Sequence, residues 1–120
     1  MASYLIHVHS GPDQVNKATL ALLVAKTAVA EGHAVEVFLA GDGVHLLNCR
    51  EAGAVVGQGT GDLHEHLSAL KDSGTTIHVS GMSAKARGYD ESLLSGYAAT
   101  FAMPTVLLDR TAAADVVLCY

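Results

Sequence analysis

Residues 4–43 read YLIHVHSGPDQVNKATLALLVAKTAVAEGHAVEVFLAGDG, and this stretch settles the architecture. It opens with a short apolar run, Tyr4 to His9, and SGPD breaks it: Gly11 and Pro12 end a strand, while Asp13 is placed to N-cap the next element. From Gln14 to Glu31 the chain is rich in Ala, Leu and Lys, which predicts a helix, and Gly32 supplies the residue tolerant of positive φ at its end. His33 to Leu39 places β-branched Val35 and Val37 at alternate positions, a second strand, and AGDG turns the chain. Strand, helix and strand in this order form a βαβ unit, whose right-handed crossover sets the two strands parallel. Leu20 to Ala25 is apolar nearly all round, so the helix is expected to bury a second surface, such as a subunit interface.

The pattern continues outward. A short helix from Val44 is expected, then a glycine-broken loop GAVVGQGTGD, and Asp62 caps a helix over Leu63 to Lys71. Thr75 to Val79 is a third strand, Tyr97 to Phe101 a fourth, Pro104 opens a last helix, and Asp115 to Cys119 closes as a strand. The expectation is one α/β domain over residues 1–120, a three-layer α/β/α arrangement around a mostly parallel five-stranded sheet.

Composition narrows the function. Seven Lys plus Arg stand against twelve Asp plus Glu, a formal charge of −5, opposite to what phosphate neutralisation requires, so neither nucleic acid nor an anionic membrane is expected as partner. The longest apolar run stops at Lys26, far short of a membrane span, and MASYLIHVHSG lacks a basic leader with an apolar core. Cys49 and Cys119 form no C-x-x-C, which fits a reducing compartment and a cytoplasmic protein. Both sit in apolar settings where a thiol usually serves as a small core residue.

Ligands of parallel sheets collect beyond the carboxyl ends of the strands. Those ends are His9-Ser10-Gly11, Ala40-Gly41-Asp42-Gly43 and Ser80-Gly81-Met82, and the last runs on through Ser83 into a helix start carrying Lys85 and Arg87. A nucleotide or flavin site is disfavoured, since Pro12 removes a donor, Asp13 puts a negative charge where phosphate must approach, and no Walker or dinucleotide fingerprint is present. No cofactor is expected. His9 and His78 could meet as base or ligand at the strand ends, yet no histidine has diagnostic metal spacing, and no metal is expected. Ser83 lacks an S-x-x-K partner or a G-x-S-x-G elbow, and its commoner use is as a helix N-cap.

Several segments together carry a resemblance: SGP with the long helix ending EGH, VEVFLAGDGV, IHVSGMSAKARG, MPT, and the terminal ADVVLCY. The chain resembles the DsrE/DsrF-like family, small α/β proteins of sulfur relay and intracellular sulfur metabolism. The resemblance implies a flavodoxin-like variant of the DsrE type and a homo-oligomer, trimeric or hexameric, with strand-end loops near subunit interfaces. In the sulfur-transferring members a cysteine after the third strand accepts a persulfide, and some relatives have a second cysteine three positions on; those positions match Ser80 and Ser83. A hydroxyl is not ionised near neutral pH and cannot take up sulfane sulfur as a thiolate does. The expectation is therefore an accessory protein that binds a small anion or a sulfur-relay partner protein at this loop. The alternatives are a sulfurtransferase or sulfur carrier using Cys49 or Cys119, and a small-molecule enzyme using His9 or His78.

Overall fold

The computed structural model describes all 120 residues. Along the chain run β1 (Ser3–Val8), α1 (Val15–Ala30), β2 (Ala34–Leu39), a 3₁₀ helix (Gly41–Asn48), β3 (Val56–Gly57) and β4 (Gly61–Asp62). Then come α2 (Leu63–Asp72), β5 (Thr76–Ser80), α3 (Gly81–Ala86), a short 3₁₀ turn (Glu91–Leu94), β6 (Ala99–Ala102), α4 (Pro104–Ala113) and β7 (Val116–Cys119). Five strands form one parallel sheet in the order β6-β5-β2-β1-β7.

Alternation along β1 sets the two faces. Ile6 and Val8 point to a core shared with Leu22 of α1, Leu67 of α2 and Ala84 of α3, while Leu5 meets Phe38 and Ala102 on the other side. The connections β1→β2→β5→β6 all advance in one direction, so right-handed crossovers place α1, α2 and α3 on one face. The last connection reverses to lay β7 beside β1, which puts α4 alone on the opposite face, with Val106 and Leu107 against the smaller cluster. Adjacent strands β5 and β6 thus send their connections to opposite faces, and the crevice at their carboxyl ends is the topological switch point.

Four local expectations need correction. Asp13 does not cap α1: the N-cap is Gln14, which makes no side-chain cap bond, and its N–H donates instead to the Gly11 carbonyl at 3.0 Å. The element expected from Val44 starts at Gly41 and is 3₁₀. Gly41 has φ +53°, and a Cβ on Gly43 would fall well inside contact distance of the Val8 carbonyl oxygen, so these glycines let the segment press onto the end of β1. The region read as loop contains the antiparallel ribbon β3–β4, too short for a two-residue period to register. It is pinned to the core side by Thr60, whose hydroxyl lies 2.6 Å from that of buried Thr19 and whose carbonyl accepts from His66 Nε2 at 2.8 Å. Cys119, expected in the core, is exposed, because β7 is an edge strand whose alternate residues α4 does not reach.

Asp62 caps α2 as expected, accepting from the His64 N–H at 2.8 Å. On α1, Leu20 remains 38% exposed. The half-buried Leu23 and Val24 line a groove of about 410 Å³ with Tyr4 and Leu118. No helix is long and apolar enough to cross a membrane.

Candidate functional site

The loop after β5 is built by its two serines. Ser80, rather than Ser83, is the N-cap of α3: its Oγ accepts from the Ser83 N–H at 3.2 Å. Ser83 has a different task, its Oγ accepting from the Gly41 N–H at 2.9 Å and tying α3 to the segment after β2. Arg87 completes the tie. Its Nε and Nη2 donate to Asp42 Oδ1 at 3.2 and 3.0 Å, and its Nη1 donates to the Ser83 carbonyl at 3.1 Å. The structure therefore brings together Gly41, Asp42, Ser80, Ser83 and Arg87 in one clamp. Arg87 pairs within its own chain, and three of its five N–H groups are engaged. Lys85 stays exposed and makes no ion pair.

The switch-point crevice is bordered by Gly81, which lies 3.6 Å in Cβ reach from Phe101, and by two exposed methionines, Met82 and Met103, at 60% and 54% exposure. Ser10 is buried and Gly11 is overlain by the Asp42 backbone, where a Cβ would meet the carbonyl oxygen at 2.9 Å. These two residues shape the loop from beneath.

The histidines are arranged otherwise. Parallel pairing sets Cys119, His7, Phe38, His78 and Thr100 in one row across the α4 face of the sheet. The His7 ring meets Phe38 edge-on at 5.7 Å, Phe38 stacks on His78 at 5.8 Å, and exposed His9 packs on His7 at 5.3 Å. His9 and His78 share this face, but the rings of His7 and Phe38 stand between them. His78 Nε2 donates to Glu36 Oε1 at 2.8 Å, and Arg110 Nη2 donates to the other oxygen of Glu36 at 2.7 Å. Burial alone would raise the Glu36 carboxyl; hydrogen bonds from Arg110 and His78 outweigh it and hold it below its ordinary value. Burial, aided by His9, pushes His7 down, and its Nε2 is enclosed without a partner.

On the α1 side of the clamp lies an open cleft of about 430 Å³, lined by Asp13, Asp42, His45, Cys49 and Tyr89 among others. His45 Nδ1 and the Tyr89 hydroxyl are 2.6 Å apart. The Cys49 thiol donates to the His45 carbonyl at 3.4 Å, and burial pushes its pKa up, so it rests as a thiol.

The chain as a whole matches the DsrE/DsrF-like family over residues 2–120. This protein belongs to the DsrE/DsrF-like family. Among solved structures, the crystal structure of the YchN protein from E. coli is similar, with a TM-score of 0.77 and 18% identity over 100% of both chains. At that identity the likeness speaks for the DsrE-type fold, which is the one expected. No sequence among the curated proteins matches this chain. Membership in the DsrE family points to a role in sulfur metabolism. Within this DsrE-type frame, sequence reasoning overlooked the cleft. Asp13 has the sequence position of a helix cap, and neither His45 nor Tyr89 belongs to a motif. Only the AGDG turn marked the neighbourhood.

Proposed function

We propose that this DsrE-type chain is an accessory protein of sulfur metabolism whose strand-end loop has no sulfur-accepting thiol. It forms a single domain over residues 1–120 and acts in the cytoplasm as a homo-oligomer, trimeric or hexameric. The observation carrying this reading is the use made of the two hydroxyls: Ser80 caps α3 and Ser83 holds the Gly41 N–H. By the family resemblance, Ser80 matches the position of the sulfur-accepting cysteine in sulfur-transferring members, and Ser83 that of the second cysteine some relatives have. Here the loop is completed by hydroxyl hydrogen bonds, and neither cysteine of the chain lies in it.

What remains at the loop is a binding surface. Lys85 is unpaired, Arg87 keeps two N–H groups, and Met82 and Met103 offer adaptable apolar contact beside them. That combination suits a partner protein with an acidic rim, with a small sulfur oxyanion as the lesser ligand. A second reading has one favourable observation: Cys119 is exposed and able to meet a donor, so sulfur transfer through it is the competing activity.

One experiment separates the two. The protein is incubated with a low-molecular-weight persulfide donor and sulfur adducts are mapped by mass spectrometry. The accessory reading expects no adduct that passes to an acceptor thiol, and expects Ser80→Cys to gain one. Stoichiometric persulfide on Cys119 or Cys49 of the unaltered chain, followed by transfer, would establish the competing reading.

A further inference from the structure

The cleft beside the clamp is a separate concave site, and its chemistry differs from that of the loop. Three segments build it: the turn after β1 brings Asp13, the 3₁₀ helix after β2 brings Asp42, His45 and Asn48 with Cys49 just past its end, and the segment after α3 brings Tyr89. Its volume of about 430 Å³ falls within the range of small-molecule sites. No lysine or arginine lines it.

The two carboxylates are not equivalent. Asp42 is neutralised from outside the cleft by Arg87 at 3.0 Å. Asp13 makes no ion pair and accepts no side-chain hydrogen bond. Its Oδ1 turns back over Gly11, 3.1 Å from where a Cβ would stand, next to Asp42. The cleft thus holds one uncompensated negative charge in a protein already at −5. The same cleft has an aromatic wall. The His45 and Tyr89 rings meet edge to face at 5.4 Å, and their 2.6 Å hydrogen bond fixes both rotamers. A carboxylate with no partner and an electron-rich ring lining one cleft are a recognition set for an organic cation: the carboxylate accepts N–H bonds, and the ring face attracts the charge.

We propose that this cleft binds the primary ammonium group of a small amine, with Asp13 as its counter-ion, the Tyr89–His45 pair as its aromatic wall and Asn48 as a further acceptor. The Cys49 thiol, held by the His45 carbonyl, forms part of the wall and takes no part in charge recognition. The site shares only Asp42 with the loop clamp, so it stands whether or not the loop carries the function proposed above.

The test is an NMR titration of the intact protein with n-butylammonium, butyrate and n-butanol at constant ionic strength. The expected result is saturable shifts at the amides of Asp13, His45 and Cys49 with the ammonium alone. Asp13→Asn should weaken this binding about tenfold or more, the scale of a lost charge-assisted bond. Asp13 makes no contact needed for folding, and the amide spectrum of the variant checks that. Tyr89→Phe, which keeps the ring, should retain most of the binding, while Tyr89→Ala should lose it. Equal binding of butyrate, an unaltered response in Asp13→Asn, or no saturable shift up to tens of millimolar ammonium overturns the proposal. So does a response to magnesium or calcium that the ammonium does not compete away.

Discussion

Ser80 and Ser83 show how two identical side chains three residues apart take different work. Ser80 meets the N–H of Ser83, the third residue of α3, and its loss to alanine removes one cap, which costs about 1 kcal/mol. Ser80→Ala should therefore lower the urea midpoint without changing the slope; an unchanged midpoint would show that the cap contributes nothing. Gly43 is a harsher position, because its missing Cβ leaves room for the Val8 carbonyl. Gly43→Ala is expected to destabilise by about 2 kcal/mol or more, read in the same unfolding experiment. His7 brings a pH dependence. Its pKa lies below the ordinary 6.5 because of burial and then His9, so the unfolded chain binds the proton that the folded chain resists. Stability is undiminished above 6.5 and declines as pH falls through that value. Glu36, also lowered, adds a further decline below 4.5. Unfolding free energies measured at about pH 7 and pH 5 should differ, and His7→Gln should flatten that difference. An equal decline in the variant would assign it to another group.

At the scale of elements, α3 matters most. It has only six residues, too few to be stable alone, and is held at its start by Ser80 and at its end by Arg87. The Arg87–Asp42 pair is largely exposed, so Arg87→Ala should change global stability by no more than about 1 kcal/mol. Its local effect should be larger. Hydrogen exchange of the α3 amides is expected to quicken while that of α1 stays unchanged; uniform exchange in both helices would mean that the clamp holds nothing in place. This element also shows where local reading fell short. A serine before a short helix signals a cap, but SGMS offers two candidates, and the choice depends on the Gly41 N–H waiting across the gap.

At the scale of the whole molecule, the surface of α1 bears on assembly. Leu20, Leu23 and Val24 with Leu118 leave apolar surface open beside the edge strand β7. If that surface closes the proposed oligomer, Val24→Glu should shift the sedimentation of the protein toward the monomer while leaving its fold intact. An unaltered sedimentation profile would show that this surface is not the subunit contact. The α/β class, the five strands of the parallel sheet, the Asp62 cap and the position of the strand-end loops were all legible in the sequence. Each rests on hydrophobic period and turn chemistry among near neighbours, and these act before any distant contact forms. The tertiary structure alone decided which serine caps and which ties, that Arg87 pairs with Asp42, that Phe38 lies between two histidines, and that Asp13, His45 and Tyr89 face one cleft. Those pairings join residues from different crossovers, and their distances depend on strand register and on the face each helix takes, which no local pattern encodes.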